Sequence, residues 1–417
     1  RRAARAGVGF GMPTDDATTY YRKGFGLKAE VQETLTGDYA GSLVDVLRAN
    51  DYTLAAGGVT VRLAREFGFC YGVERAVEYA YQARAKFPDR RVFLAGEIIH
   101  NPHVNAKLKE MGIVFLQPND AGGFDYAIVR PEDVVILPAF GVTIHDFNTL
   151  RALGCIMVDT TCGSVLNVWK RVESYARDGF TSLIHGKHYH EETRATASQV
   201  SKHPGAHYLV VRDMAEATLV CDFIEGTWSR EAFLAKFADR ASPGFDPVRD
   251  LARVGVANQT TMLARESLAI GEEVGKAMAR AHGEAHRATH FRTFDTICSA
   301  TQDRQDAVNA LLTEPLDVML VVGGYNSSNT ISLAALCAEK VPTYHVEDAE
   351  AIDPVSGAVR FRPIGPHGGE EMRTGWLPAT GAVRVGITAG ASTPNNKIGE
   401  AVARIFRTRG IDPLVFG

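Results

Sequence analysis

The sequence predicts an α/β protein of three pseudo-repeated lobes, each with a short, mostly parallel sheet flanked by helices. β-prone runs alternate with amphipathic helical patterns from residue 59 onwards. In three places such a run ends at a cysteine, and small or polar residues and then a helical pattern follow. These cysteines are Cys70, Cys162 and Cys298. Polar loops also follow other strands, which predicts a site where the carboxyl ends of the strands meet.

The composition is that of an ordinary soluble globular protein with two or three domains. The chain has 417 residues, of which 45% are hydrophobic and 23% are charged. A net charge of −4 without a basic block argues against nucleic acid as a partner, and no apolar stretch approaches the length of a membrane span. Six widely spaced cysteines favour a reducing compartment. We therefore expect a cytoplasmic protein.

The N-terminal extension, residues 1–59, stands outside the repeat, and we expect it to pack on the core or on a partner subunit. It carries a short amphipathic helical pattern near residues 41–50. Its first residues lack an initiator Met and an apolar signal core. They are either the stub of a processed leader, in which case the location is the plastid stroma, or a disordered start.

The remaining chain follows one plan three times. The predicted strands begin near Val59, Arg91, Val134, Cys155, Thr181, His207, Ala252, His290, Asp317 and Ala382, and helical patterns follow most of them. The predicted segments are a first lobe at 60–161, a second at 162–287, a third at 288–393, and a C-terminal helix and tail at 394–417. We expect an insertion near 220–250, outside the core of the second lobe, and a long loop at 346–380 in the third.

The three repeated cysteines predict a metal centre. A cysteine at a strand-to-helix junction lies near the positive end of the helix, which favours the thiolate that binds metal. Zinc sites usually contain paired Cys-x-x-Cys knuckles, and this chain has none. Single cysteines from several lobes fit an iron–sulfur cluster, in which three thiolates leave one iron open. The remaining cysteines, Cys155, Cys221 and Cys337, read as small buried hydrophobic residues.

The polar loops predict an anion site. Ser327, Ser328 and Asn329 open a predicted helix, and Ser392 lies in a similar loop. Hydroxyl and amide groups at a helix start bind phosphate, although plain N-capping explains any single such stretch. His100 and His190 follow strands at equivalent positions. Together these side chains predict a site for a diphosphate.

Glu192 is the carboxylate that we assign as the acid, because it follows His190 in a loop expected to face the metal centre. Its neighbour Glu191 is the rival candidate. Thr260 and Thr261 follow a strand and either relay a proton, hold a substrate hydroxyl or serve as caps.

These residues form motifs that resemble the IspH/LytB family of 4-hydroxy-3-methylbut-2-enyl diphosphate reductases. The resemblance extends over roughly residues 60–400, and the extension, the insertion and the long loop are similar to the plant and cyanobacterial branch. The ordered motifs are Gly68-Phe-Cys70-Tyr-Gly-Val73, His100-Asn-Pro102, Asp159-Thr-Thr-Cys162, His190-Glu-Glu192, Gln259-Thr-Thr261, Ile297-Cys298-Ser-Ala-Thr301, Asn326-Ser-Ser-Asn329 and Thr388-Ala-Gly-Ala-Ser392.

The resemblance implies a trefoil of three α/β domains around a central 4Fe–4S cluster, with one iron bound to no side chain and open to substrate. It implies that the cluster is held by Cys70, Cys162 and Cys298. By the same resemblance, Glu192 delivers protons and Thr260 or Thr261 contacts the hydroxyl end of the substrate. The residues implied to hold the diphosphate are His100, His190, Ser327, Asn329 and Ser392, with Ser328 at the same helix start.

The implied reaction is reductive dehydroxylation of 4-hydroxy-3-methylbut-2-enyl diphosphate (HMBPP) to isopentenyl and dimethylallyl diphosphates, the last step of the methylerythritol phosphate route. The chain has no flavin or nicotinamide fingerprint, so we expect ferredoxin or flavodoxin as an external electron donor. A homodimer is one expected assembly. Two alternatives stay open: a zinc-dependent phosphohydrolase and a non-catalytic iron–sulfur sensor.

One position departs from the bacterial pattern of the family. Many bacterial members have a diphosphate-binding histidine where this chain has Phe140, between Ala139 and Gly141. The departure resembles the plant-type pattern. It leaves open which group completes that part of the anion site.

Overall fold

The computed structural model describes residues 19–119, 123–365, 368–378 and 380–416. The leader stub or disordered start that we expected at the beginning of the extension lies outside the described residues. In the described part of the chain, no helix combines the length and apolar character needed to cross a membrane. Helices and mostly parallel sheets alternate, which confirms the predicted α/β class.

The extension contributes elements to two different lobes. The helix predicted near residues 41–50 is present as α2. The elements of the extension are β1 (Tyr20–Tyr21), α1 (Lys28–Tyr39), α2 (Ser42–Ala49) and β2 (Thr53–Ala56), and the predicted strand that leads to Cys70 follows as β3 (Val59–Leu63). Strand β1 pairs in parallel with the last strand of the first lobe, whereas β2 and β3 join the sheet of the third lobe.

The first lobe contains a parallel sheet in the order β1-β7-β6-β4-β5. Its elements are α3 (Tyr71–Lys86), β4 (Val92–Leu94), α4 (Pro102–Glu110), β5 (Ile113–Phe115), β6 (Val134–Leu137), α5 (Ile144–Leu153) and β7 (Ile156–Asp159). Strand β6 is fully buried, as expected for an apolar strand inside a parallel sheet with covered faces. Residues 100 and 162 both follow strands of this sheet.

The second lobe contains the parallel sheet β11-β10-β8-β9. Its elements are α6 (Gly163–Arg177), β8 (Thr181–His185), α7 (Glu191–Ser198), a 3₁₀ turn (Gln199–Lys202), β9 (Tyr208–Val211), α8 (Met214–Ile224), α9 (Arg230–Phe237), α10 (Pro247–Asp250), β10 (Val254–Asn258), α11 (Ala264–His282), α12 (Glu284–His290) and β11 (Phe291–Thr293). We expected residues 220–250 to lie outside the core. Instead, Phe233 and Phe237 of α9 are buried within it, because their aromatic surface covers one face of this lobe.

The third lobe contains the sheet β13-β12-β16-β3-β2, in which only the β2–β3 pair is antiparallel. Its elements are α13 (Ser299–Leu311), β12 (Val318–Val322), α14 (Ser328–Ala338), β13 (Thr343–Val346), a 3₁₀ turn (Ala349–Ala351), β14 (Val359–Phe361), β15 (Glu371–Arg373), β16 (Val383–Ala389), α15 (Asn395–Arg407) and a 3₁₀ turn (Pro413–Phe416). The long loop at 346–380 contains the small β14–β15 hairpin.

The strand that leads to Cys70 pairs away from the first lobe. Val59–Leu63 lies beside Val383–Ala389, so the chain passes from the third sheet through Cys70 into the first lobe. The predicted segment boundaries at residues 59, 161, 287 and 393 stay predictions. Because the chain passes from the third sheet into the first lobe, the Cys70 loop lies against the loop that contains Ser392. There Cys70 N donates to Ala391 O at 3.2 Å.

Candidate functional site

The three repeated cysteines occupy one structural position. Cys70, Cys162 and Cys298 have extended backbone conformations and immediately precede α3, α6 and α13. All three are half-buried and free of disulfides, and they line one cavity. Cys155, Cys221 and Cys337 are buried, as expected for small core residues. Only the three cysteines of the repeat therefore present thiols to this cavity.

The helix starts approach one another closely at the thiols. A methyl group built on Gly72 would lie 2.6 Å from Cys162 Sγ and 3.9 Å from Cys70 Sγ. The hydroxyl Oγ1 of Thr301 lies 3.0 Å from Cys298 Sγ. The buried Arg304 donates to Gly68 O at 2.6 Å and so joins α13 to the Cys70 loop. Glycine at position 72 makes room for the convergence of the thiols.

Burial controls the protonation of the free thiols. It raises the pKa of Cys70, and it raises the pKa of Cys298 to about 11 although the Thr301 hydroxyl opposes the shift. The helix-start effect expected from the sequence is thus outweighed by desolvation in the metal-free chain. A bound cation reverses the balance, because it stabilises thiolate directly. Three convergent thiols without a fourth protein thiol fit an iron–sulfur centre better than structural zinc.

The same cavity also offers hydrogen-bond donors. Ser327 caps α14, and its Oγ also lies 3.4 Å from Ser392 Oγ. Ser392 Oγ donates to His100 O at 3.2 Å, which links the third lobe to the first. Ser328 Oγ and Asn329 Nδ2 are buried, and neither has a hydrogen-bond partner within the described residues. Unsatisfied donors at a helix start fit an anionic ligand.

His100 is held between carboxylates and an aromatic ring. Its Nδ1 lies 2.8 Å from Glu97 Oε2, and its Nε2 lies 3.4 Å from Glu191 Oε2. Burial by itself would lower the pKa of His100, but Glu191 and Glu97 outweigh it and raise the pKa to about 9. The ring of Phe140 stacks on the imidazole with centroids 4.4 Å apart. The cavity therefore contains an imidazolium at neutral pH, supported by the aromatic face.

His190 has a different protonation state from His100. Its Nδ1 accepts from Glu192 N at 3.2 Å, so Nε2 carries the proton of the neutral ring. Burial and the nearby charge of His100 lower its pKa. Because Nδ1 is engaged as an acceptor, the ring is arranged as a neutral Nε2–H donor. This suits an anion better than a metal ion, although His100, His190 and Glu191 lie close enough for three metal ligands.

Glu192 is buried beside the thiols. Its Oε1 accepts from Thr260 N at 2.6 Å, and burial raises the pKa of the carboxyl to about 7 despite that bond. Thr261 also lines the cavity, and its Oγ1 accepts from Gln259 Nε2 at 3.0 Å. A carboxyl group that is half protonated near neutral pH can donate a proton.

The cavity contains every site residue that the sequence predicted. Among the histidines that the structure describes, those other than His100 and His190 do not line this cavity; His185, for example, is buried against Ser267. Sequence reasoning missed Glu97 and Arg304. A signal existed for Arg304, which lies on the buried stripe of α13 together with Thr301, Gln305 and Val308, where an arginine needs a partner. For Glu97, the available signal was its place three residues before His100, which is close enough for its carboxylate to reach the imidazole.

Fold and site together define a three-lobed α/β protein in which three cysteines and a set of unsatisfied hydrogen-bond donors line one cavity. A family model described as "LytB protein" matches residues 61–406. A 4-hydroxy-3-methylbut-2-enyl diphosphate reductase from Gloeobacter violaceus is 50% identical over 94% of this chain and 93% of its own length. The enzyme of that name from Thermosynechococcus vestitus is 47% identical over 94% and 95%. The chain belongs to the LytB family, and membership makes it an iron–sulfur enzyme.

Solved structures agree on the fold. The structure of the E-1-hydroxy-2-methyl-but-2-enyl-4-diphosphate reductase from Plasmodium falciparum matches with a TM-score of 0.60 and 20% identity, over 83% of this chain and 87% of that chain. A second structure, of an (E)-4-hydroxy-3-methyl-but-2-enyl diphosphate reductase, matches with a TM-score of 0.50 and 28% identity, over 83% and 98%. The three-lobed arrangement is therefore shared with these reductases.

Proposed function

We propose that the chain catalyses reductive dehydroxylation of HMBPP, the last step of the methylerythritol phosphate route. The allylic C–O bond breaks, two electrons and two protons are consumed, and isopentenyl or dimethylallyl diphosphate and water are released. One observation carries the proposal: three thiols, a carboxyl group that is half protonated at neutral pH and a set of unsatisfied anion donors line the same cavity. The family and its named relatives support the same reaction.

In this proposal Cys70, Cys162 and Cys298 hold a 4Fe–4S cluster, one per chain. When bound, the cluster would pass on the two electrons that an external donor supplies, and it would provide an open iron that acts as a Lewis acid. Three protein thiols in one cavity match the three ligands that such a cluster needs if one iron is to stay open.

The diphosphate is proposed to bind across the lobes. His100 supplies positive charge and His190 an Nε2–H donor, while Ser327, Ser328, Asn329 and Ser392 supply hydroxyl, amide and helix-start groups. Binding energy from this remote end positions the reacting carbon at the thiol side of the cavity. Phe140 takes the place of the bacterial-type histidine, and its ring supports the charge on His100 instead of adding a second charge.

Glu192 is proposed as the proton donor. Its carboxyl lines the cavity that the thiols and the anion donors share, and its pKa near 7 lets it hold and release a proton. It protonates the leaving hydroxyl oxygen, so that water departs, and a second proton reaches the allyl group by the same route. Thr260 fixes the carboxyl through its backbone N–H, and Thr261 presents a hydroxyl beside it.

The electrons are proposed to come from ferredoxin or flavodoxin, because the sequence has no nucleotide or flavin fingerprint. A homodimer is proposed as the assembly of the chain. Both proposals are open to direct measurement by anaerobic gel filtration of the chain alone and with each donor.

An anaerobic turnover assay tests the function. The iron-loaded chain is given HMBPP and a chemical one-electron reductant, and both monoenyl diphosphates and electron consumption are measured. Cys298→Ser should lose iron and turnover, whereas Cys337→Ser, at a buried cysteine away from the cavity, should retain both. Release of inorganic phosphate without electron consumption would instead identify a phosphohydrolase.

A further inference from the structure

We propose that the N-terminal segment at residues 19–22 positions the Cys162 loop, with Tyr20 and Arg22 acting on it through Asp159. This gives the extension a role in retaining the metal centre, and it makes Tyr20 and Arg22 positioning residues. The inference rests on the proposed role of Cys162 as an iron ligand.

The segment is attached to the strand that ends at this loop. Tyr20 and Tyr21 of β1 pair in parallel with Met157 and Val158 of β7, and Met157 N donates to Thr19 O at 2.6 Å. The ring of Tyr20 also packs edge-on against Phe147 at 5.5 Å. Residues 19–21 thus cover an edge of the first sheet that would otherwise be open.

The buried carboxylate of Asp159 connects the segment with the loop. The Tyr20 hydroxyl donates to Asp159 Oδ2 at 2.5 Å, and Arg22 Nε lies 3.4 Å from the same oxygen. The other oxygen, Oδ1, accepts from Thr161 N at 2.9 Å. One hydrogen bond and one ion pair from the extension therefore orient the carboxylate that fixes the residue before Cys162.

The other contacts of the loop come from the first lobe itself. Thr160 Oγ1 donates to Leu137 O at 2.7 Å, Arg75 donates to Thr161 O at 2.7 Å, and Cys162 N donates to Ala139 O at 3.0 Å. Asp159 is the contact that depends on the extension. A buried carboxylate that loses a donor must find another or admit water, and either movement releases Thr161 N. The Cys162 thiol then has a wider range of positions.

The chain offers a matched pair of variants for the test. Tyr20→Phe removes the hydroxyl that reaches Asp159. Tyr21→Phe removes a hydroxyl from the next residue of the same strand, for which the described residues provide no hydrogen-bond partner; its ring packs against Phe25. Arg22→Gln tests the ion pair separately. Both tyrosine variants keep the aromatic ring and the strand pairing.

Two readouts are measured on the full chain. The first is the rate at which a chelator removes iron from the anaerobically reconstituted protein, and the second is the alkylation rate of Cys162 in the metal-free chain, followed by mass spectrometry. Tyr20→Phe should raise both rates by about tenfold, the usual effect of losing a hydrogen bond to a charged group. Tyr21→Phe should match the wild type.

Equal rates in Tyr20→Phe and Tyr21→Phe would overturn the proposal. So would a Tyr20→Phe variant in which Cys155 and Cys162 are alkylated faster by the same factor, because that result would show general loosening of the first lobe. If the wild type binds no iron, the proposed function fails, while the alkylation rate of Cys162 still decides whether the extension positions the loop.

Discussion

At the residue scale, burial acts differently on the titratable side chains of the cavity. Glu192 is buried with one backbone donor, so its pKa rises to about 7. His100 is also buried, yet Glu97 and Glu191 keep it charged up to about pH 9, and His190 stays neutral. One cavity thereby contains a proton donor in Glu192, a cation in His100 and a neutral hydrogen-bond donor in His190. Different environments for neighbouring titratable groups allow acid catalysis at neutral pH.

Glu192→Gln tests the assignment of the acid. The amide keeps the size of the side chain but has no acidic proton, so turnover should fall by about a hundredfold or more. Iron content and substrate affinity should stay near wild-type values, because neither the thiols nor the anion donors change. Steady-state rates with a chemical reductant and an iron assay decide this. A normal rate in the variant would show that another group donates the proton.

Glu97→Gln tests the support of His100 through the pH dependence of KM. In the wild type, kcat should fall as the pH rises through about 7, because Glu192 then loses its proton. KM should rise only above about pH 9, because His100 stays charged up to that pH. Removing one carboxylate lowers the pKa of His100. The KM at pH 8 should then rise roughly tenfold, with little change at pH 6.

The matched control for this profile is Glu132→Gln, at an exposed glutamate of the same lobe whose backbone oxygen, not its carboxylate, accepts a hydrogen bond from Arg90. Its KM profile should follow the wild type. An equal rise in KM at pH 6 and pH 8 in Glu97→Gln would mean that the variant distorts the site and that His100 does not depend on Glu97 for its charge.

At the element scale, the starts of α3 and α6 must approach closely for the thiols to converge. Gly72→Ala places a methyl group 2.6 Å from Cys162 Sγ, whereas a methyl group at Gly163 meets nothing within 4 Å. Alanine favours helix at both positions, so propensity alone predicts no loss. The overpacking at position 72 costs about 1–3 kcal/mol. Gly72→Ala should therefore lose most of its iron under anaerobic reconstitution.

Gly163→Ala serves as the control and should bind as much iron as the wild type, although it lies next to Cys162. Iron and sulfide content per chain, measured for the two variants together, decides the matter. Full iron binding by Gly72→Ala would show that the two helix starts can move apart without loss of the centre.

The elements that sequence reasoning predicted well are those with local signals. A β-prone run, a cysteine and a helical pattern follow one another directly along the chain, so the three cysteine loops and Ser327 at its helix start were predictable. Which strand pairs with which in a sheet has no local signal in the sequence. The alternation in Val59–Leu63 marks a strand, but nothing in it indicates pairing with Val383–Ala389, and the two-residue strand at Tyr20 is too short for any periodicity.

At the scale of the whole molecule, the site exists only where the three lobes meet. Arg304 of the third lobe donates to Gly68 O, Ser392 donates to His100 O, and Cys298 N donates to Thr260 O of the second lobe. The three cysteines immediately precede α3, α6 and α13, which belong to three different lobes, so a bound cluster would tie these helix starts together. Metal binding is thus expected to couple to the arrangement of the lobes.

The most direct measurement is an anaerobic absorption, iron and sulfide assay, followed by spectroscopy of the reconstituted protein with and without HMBPP. We predict a brown protein with a 4Fe–4S signal that shifts when HMBPP is added, since the diphosphate donors and the thiols share one cavity. A colourless protein that binds zinc after careful anaerobic reconstitution, or a cluster signal unchanged by HMBPP, would contradict the account.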